Sequence, residues 1–314
     1  MILVWGFLLL LVLIVVALVA FTARTAARVV AAVPPRGQFI EVNGQKIHYV
    51  DRGTGPAIVM IHGLGGNLLN FDYALADRLL ADHRVILIDR PGSGYSVRPE
   101  SAPANLPAQA ATIAAVIKQL GLSRPLVVGH SLGGAVALTL ALEHPDSVGG
   151  LVLLAALTHA KEEVPPVFRG LAIPWPLLRK IVAWTVATPL AIRNRDVVLG
   201  VVFGPDPVPA DFALRGGGVL GLRPVAFYNT STDLLAINDD LPALTQRYGA
   251  LAVPVAMLYG RGDRLLDYRE QGEALKAKLP TLDLELIEGG HMLQFMHPEI
   301  CEAVIRRTEA RMHP

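Results

Sequence analysis

The sequence predicts an α/β domain: a mostly parallel β-sheet with helices on both faces, interrupted by a helical insertion and preceded by one long apolar helix. Short apolar runs alternate with helical patterns between residues 57 and 154, and the alternation resumes at residue 253. One of those runs ends in a Gly-His-Ser-Leu-Gly corner from which a helical pattern starts. Ahead of it all, residues 2–21 carry no charged or strongly polar side chain.

As a helix, residues 2–21 would be about 30 Å long, the thickness of a bilayer's hydrocarbon core. A cleaved signal peptide has a basic leading region and a shorter apolar one, so residues 1–22 are expected to be a single-pass membrane anchor. Arg24, Arg28 and Arg36 follow the span and no side-chain charge precedes it. The positive-inside bias then assigns the remainder to the cytoplasm. Residues 23–36, closing on Pro34 and Pro35, are expected to be a short helical extension or linker.

The first part of the core, residues 37–157, opens with a hairpin at 39–42 and 46–50 that turns on Asn43 and Gly44. Strands at 57–61, 84–88, 125–128 and 151–154 then alternate with helical patterns at 69–80, 105–120 and 131–143. Over residues 158–248 the alternation gives way to proline-rich apolar sequence, expected to form an inserted helical cap. Its apolar residues include Val167, Phe168, Leu171, Ile173, Trp175, Leu177, Leu178, Ile181, Val182, Trp184, Val186 and Leu190. They exceed what a small insertion can bury internally, so most are expected to pack the cap onto the core, with a subset forming an acyl-binding groove or a membrane-facing rim. Gly216, Gly217, Gly218 and Gly221 are candidate hinge residues. Residues 249–314 complete the core, starting from the strand at 253–259.

The chemistry concentrates at Ser131, in the Gly129-His130-Ser131-Leu132-Gly133 corner between strand and helix. A serine there is forced out of the ladder with its hydroxyl exposed, the geometry of a nucleophile elbow. An ordinary turn with a serine N-cap would use the same residue types, so an acid and a histidine further along the chain decide between the two. Asp263 lies on a loop just past the strand at 253–259, at the carboxyl edge of the sheet. His291 comes after Gly289 and Gly290, which free the backbone to turn its imidazole. Serine, acid and histidine thus occur in the order that a strand-elbow hydrolase requires.

From about Gly37 to the C-terminus the chain resembles the α/β-hydrolase superfamily. His62-Gly63-Leu64-Gly65-Gly66-Asn67 is similar to the family's oxyanion-hole turn, and Asp89-Arg90-Pro91-Gly92-Ser93-Gly94-Tyr95-Ser96 to its loop after the fourth strand. The resemblance implies Ser131 as nucleophile, His291 as base and Asp263 as the acid that orients it, with the amides of Leu64 and Leu132 as the oxyanion hole. It gives His62 and His130 supporting roles and Asp89, which precedes the serine, a structural one. Asp239, Asp240 and Asp267 are weaker rivals to Asp263. Dehalogenases and epoxide hydrolases of this layout use aspartate at the elbow, which sets them aside. Gly-His-Ser-Leu-Gly-Gly is more similar to esterases and monoacylglycerol lipases.

The formal net charge of +1 over 314 residues argues against a nucleic-acid partner. No histidine or cysteine cluster has metal-ligand spacing, and no metal or cofactor is expected. The single cysteine, Cys301, falls in a helical pattern as a small packed or half-exposed hydrophobe and not a nucleophile. The expectation is a membrane-anchored serine carboxylesterase or lipase whose partners are an ester or lipid substrate and the bilayer. A carbon-carbon bond hydrolase is the alternative; it would need polar groups such as Arg169, Arg193 or Arg223 in its pocket. A non-catalytic scaffold that binds lipid or protein is a third reading.

Overall fold

The computed structural model describes residues 1–161 and 163–312. Helix α1 (Ile2–Ala32) leads into strands β1 (Gln38–Val42), β2 (Gln45–Arg52) and β3 (Ala57–Ile61), then the short helix α2 (Leu69–Asp72) and β4 (Arg84–Ile88). Helix α3 (Leu106–Gln119), β5 (Leu126–His130), α4 (Leu132–Glu143) and β6 (Gly150–Leu154) come next. The insertion carries α5 (Pro176–Trp184), α6 (Ala187–Arg193), α7 (Arg195–Val202) and α8 (Pro224–Thr245). The chain ends through β7 (Val255–Gly260), α9 (Ala274–Lys278), β8 (Asp283–Ile287), α10 (Leu293–Met296) and α11 (Pro298–Ala310).

The strands form one sheet in the order β1-β2-β4-β3-β5-β6-β7-β8. β2 runs antiparallel to both neighbours, and every other pair is parallel. Successive strand residues point to opposite faces, so the complete burial of Ile58, Val59, Met60 and Ile61 means that both faces of β3 are covered. The β1–β2 hairpin turns on Asn43 and Gly44, both at positive φ (51° and 70°), as a tight two-residue hairpin requires. Helix α3 starts where Asn105 accepts the Ala108 amide at 3.3 Å, an ordinary N-cap.

Three expectations are revised. The helix read over residues 69–80 is only α2 plus a single turn at Ala76–Arg78, because the segment bonds to its surroundings instead of extending itself. The Leu68 amide donates to Asp89 and the Asn70 amide group to the Gly216 carbonyl, at 2.7 and 2.9 Å. Gly216 and Gly217 are likewise not a free hinge, since Asn70 and Asn67 tie their carbonyls to the core. And the apolar side chains of α5 and α6 do not mainly pack onto the core: Trp175, Leu177, Leu178, Ile181, Trp184, Val186 and Leu190 are all exposed. The inward side of α5 carries Arg179 and Ala183 instead, so its apolar stripe faces away from the domain.

Helix α1 is long and apolar enough to cross a membrane, and residues 3–17 of it are exposed. It continues without a break through Ala32, and its last turns dock on α5, α6 and the turn at Gly218–Leu222, burying Thr22 and Val29.

Candidate active site

Ser131 joins β5 to α4 at φ 53° and ψ −120°, a conformation that side-chain-bearing residues rarely adopt. The corner is clamped from both sides. Its amide donates to the Leu154 carbonyl at 3.0 Å, and its carbonyl accepts from Gly134 and Leu157 at 2.9 and 3.0 Å. At Gly133 a Cβ atom would lie 2.0 Å from the Ile61 carbonyl oxygen, so only glycine lets α4 approach β3 this closely.

Asp263 lies on the loop after β7, with its Oδ2 2.7 Å from His291 Nδ1 and its Oδ1 accepting the amides of Leu265 and Leu266 at 2.8 and 3.0 Å. The carboxylate's lone pairs are thus spent on one imidazole and two fixed backbone donors. With Nδ1–H directed at Asp263, the Nε2 of His291 is the nitrogen left for chemistry. The histidine's own backbone is held as well: His130 Nε2–H donates to the His291 carbonyl at 3.0 Å. Complete burial holds the His130 imidazole neutral, well below its ordinary pKa. Asp206 of the insertion accepts the Gly290 amide at 2.7 Å and fixes the glycine turn.

Ser131, His291, Leu64 and Leu132 line one cleft of about 600 Å³, counting its open mouth. Asp263 stands behind His291, and the insertion closes the cleft with Phe168, Leu234 and Ile237. Among the described residues neither the Leu64 nor the Leu132 amide donates a hydrogen bond, and the latter opens α4, where helical N–H groups lack intrahelical acceptors. The cleft therefore has two free donors, a hydroxyl and an imidazole on its wall, surrounded chiefly by aliphatic carbon.

His62 takes no part in that wall. Its Nδ1–H donates to the Gly63 carbonyl at 2.8 Å and its Nε2 accepts the Arg90 amide at 3.0 Å. Burial, with the Arg90 charge beside it, lowers its pKa to about 3, so it is a neutral pin of the turn that carries Leu64. Asp89 spends its oxygens on the amides of Leu68 and Tyr95 and on His48 Nδ1, at 2.7, 2.8 and 2.7 Å. Asp240 and Asp267 cap the Leu106 and Arg269 amides at 2.8 Å each.

Sequence reasoning missed the group that supports this turn. The guanidinium of Arg90, wholly buried, donates to the carbonyls of His62 and Gly63 at 2.9 and 3.0 Å and to Asp233 of α8 at 2.9 Å. Asp233 also accepts from Arg98 at 2.6 Å. One buried carboxylate from the insertion is thus shared by two buried guanidiniums of the core, one of them gripping the Leu64 turn. The arginines named for an anionic pocket are elsewhere: Arg169 and Arg193 are exposed, and Arg223 is buried against Tyr95 and Leu220, with none on the cleft wall. Lys161 is the cation on that wall among the described residues. Cys301 is fully buried, which pushes its thiol pKa up and leaves it inert.

A family model described as the alpha/beta hydrolase fold matches residues 56–191. A 2-hydroxy-6-oxononadienedioate/2-hydroxy-6-oxononatrienedioate hydrolase of Burkholderia vietnamiensis is 29% identical over 262 residues, 81% of this chain and 87% of its own. An uncharacterized protein of Mycobacterium tuberculosis is 30% identical over 267 residues, 82% of this chain and 76% of its own. Among solved structures, a membrane phospholipase A superposes with a TM-score of 0.70 at 23% identity, covering 99% of each chain. The likeness extends well beyond the elbow, through both halves of the core and the insertion between them, and the chain belongs to the α/β-hydrolase family.

Proposed function

We infer that this protein is a membrane-anchored serine hydrolase of carboxylic esters, acting on short- to medium-chain acyl esters or monoacylglycerols. The observation that carries the reading is the 2.7 Å bond from His291 Nδ1 to a buried, doubly anchored Asp263, with His291 and Ser131 facing the same apolar cleft. Ser131 Oγ attacks the ester carbonyl while His291 Nε2 takes its proton. Asp263 keeps the imidazole in the Nδ1–H tautomer and stabilises the imidazolium that forms. The amides of Leu64 and Leu132 receive the oxyanion, each contributing about 3 kcal/mol in the transition state. The protonated His291 then delivers its proton to the leaving alcohol, and a water deprotonated by the same nitrogen releases the acid from the acyl-enzyme.

The aliphatic lining favours an acyl chain over a dianion. Three observations support the anchor: the apolar length of α1, the arginines that come after it, and a relative of similar structure that is a membrane phospholipase A. Those arginines point to a cytoplasmic catalytic part. A second reading, carbon-carbon bond hydrolysis, draws on the likeness to the Burkholderia vietnamiensis enzyme and on Lys161 in the cleft.

A fluorophosphonate probe should label Ser131 in the wild-type chain and leave Ser131→Ala unlabelled; a folded wild-type protein that stays unlabelled removes the serine-hydrolase reading. Turnover of graded acyl esters against a vinylogous diketone acid separates the two substrate classes.

A further inference from the structure

The side of the insertion that faces away from the domain is built inside out. On α5 the charged Arg179 is buried, bonded to the Ile173 carbonyl at 3.1 and 2.8 Å and to the Thr232 hydroxyl. Leu177 and Ile181 on its other side are 72% and 52% exposed. A helix at an aqueous surface turns its apolar stripe inward. Here the stripe points out, and it continues through Trp184 into Leu190 of α6, with Trp175 at 66% exposure just ahead of α5. A contiguous apolar patch of this kind marks a contact surface.

Its neighbour identifies the contact. Helix α1 packs against α5 and α6, and its burial sets in around the end of its apolar stretch, with Leu18, Val19 and Ala20 half-buried just ahead of Thr22. Thr22, the first polar residue after that stretch, is completely buried, with its hydroxyl 3.4 Å from the carbonyl of Thr185, the residue that closes α5. The α5–α6 corner is therefore fixed at the level where α1 leaves the apolar phase. Arg24 and Arg28, both exposed, come within the next two turns of α1, where anionic headgroups would meet them.

We propose that the outward apolar face of α5 and α6 is a second membrane contact, lying in the headgroup–acyl boundary of the same bilayer that α1 crosses. The proposal rests on the anchor reading of α1. Trp175 and Trp184 suit this role, since an indole combines a large apolar ring with one polar N–H and concentrates at that boundary. The insertion would then be held against the lipid by both a span and a monotopic patch. Its residue Phe168, on the cleft wall, lies seven positions before Trp175 in the chain.

The chain has three tryptophans, Trp5, Trp175 and Trp184, so in a Trp5→Phe variant all indole emission comes from the insertion. That full-length variant, reconstituted into phosphatidylcholine–phosphatidylglycerol vesicles brominated near the top of the acyl chains, should lose its emission at least about two-fold relative to unbrominated vesicles. Adding Leu177→Asp and Ile181→Asp should restore the emission while leaving turnover of a soluble ester in detergent unchanged, as neither residue touches the cleft. Extraction with alkaline carbonate, run in parallel, reports on α1 alone. Unquenched emission from carbonate-resistant protein overturns the proposal and leaves the anchor standing. Protein that carbonate removes refutes both. Indoles that lipid bromine cannot quench but that are also shielded from aqueous acrylamide assign the face to a second copy of the chain, and overturn the proposal too.

Discussion

Two variants of Ser131, the proposed nucleophile, isolate the strain that its corner stores. At φ 53° and ψ −120° an L-residue sits in a sparsely populated region costing about 1–3 kcal/mol. Glycine adopts the same angles freely, but it gives up about 0.5–1 kcal/mol in unfolded-chain entropy. It also loses one half-buried carbon, worth less than the ~0.8 kcal/mol of a fully buried methylene. With strain near the middle of its range, Ser131→Gly should exceed Ser131→Ala in stability by about 1 kcal/mol, or ~2–4 °C in melting temperature. Both lack the hydroxyl, so the comparison is between two side chains that differ by one carbon and in the backbone's freedom. Thermal unfolding of the two proteins in the same detergent measures it directly. A midpoint for Ser131→Gly at or below that of Ser131→Ala would mean that the corner is unstrained despite its angles.

The other expectations concern the groups around that corner. Asp263→Asn should keep the fold and lower kcat toward esters by ~10³–10⁴-fold, because an amide cannot hold the imidazole in its working tautomer; a loss under about ten-fold would move the acid elsewhere. Asp233→Ala strands the guanidiniums of Arg90 and Arg98 in the interior and should cost about 3–5 kcal/mol of unfolding free energy, measured by denaturant titration, with a cost under ~1 kcal/mol refuting the buried network. His62 has a folded pKa of about 3 against an ordinary 6.5, so the unfolded chain binds the extra proton between those values. Its contribution is complete above pH 6.5 and declines as pH falls toward 3, by up to ~1.4 kcal/mol per unit. His62→Gln, which can donate to Gly63 and accept from Arg90, should flatten that decline, and an unchanged slope of stability against pH would show that His62 is not held neutral.

The parts of the candidate site that could be read in the sequence are those whose signal is local. Ser131 lies inside a five-residue corner, and His291 directly succeeds the glycines that turn it. Asp263 needed only the end of an apolar run and the chain order. Asp233 and Asp206 carried no such signal. Asp233 meets Arg90 across 143 positions and Asp206 meets Gly290 across 84, and nothing near either aspartate distinguishes it from a solvated acid. The segment after β3 misled for a related reason: its helical periodicity is real, but Asp89 and the Gly216 carbonyl compete for its backbone and side chains. For α5 the periodicity was legible and its direction was not. Leu177, Ile181 and Trp184 fall on one stripe with Arg179 and Ala183 opposite, but spacing says only that a helix has two faces. Which face meets the domain depends on α1 and α8, both remote in the chain.

The buried charges also determine which part of the insertion can move. Helix α8 supplies Leu234, Ile237 and Asn238 to the cleft and Asp233 to the two arginines of the core. Withdrawing α8 to admit substrate would leave Arg90 and Arg98 buried together without their counter-charge, at a cost of about 3–5 kcal/mol. It would also remove the counter-charge of the guanidinium that bonds the His62 and Gly63 carbonyls, in the turn bearing the Leu64 amide. An opening that strands those charges beside the proposed oxyanion site is disfavoured. The remaining movable wall is the segment that includes Val164, Pro165 and Phe168, which leads into α5. Among the described residues that segment bears no comparable buried charge pair; the ion pair of Arg169 with Glu163 is exposed on both sides and weak. The charge pairing thus predicts that the part of the insertion leading into the outward apolar face moves to open the cleft, while α8 stays docked; a disulfide or cross-link immobilising α8 should then leave turnover unchanged, and a loss of turnover would refute it.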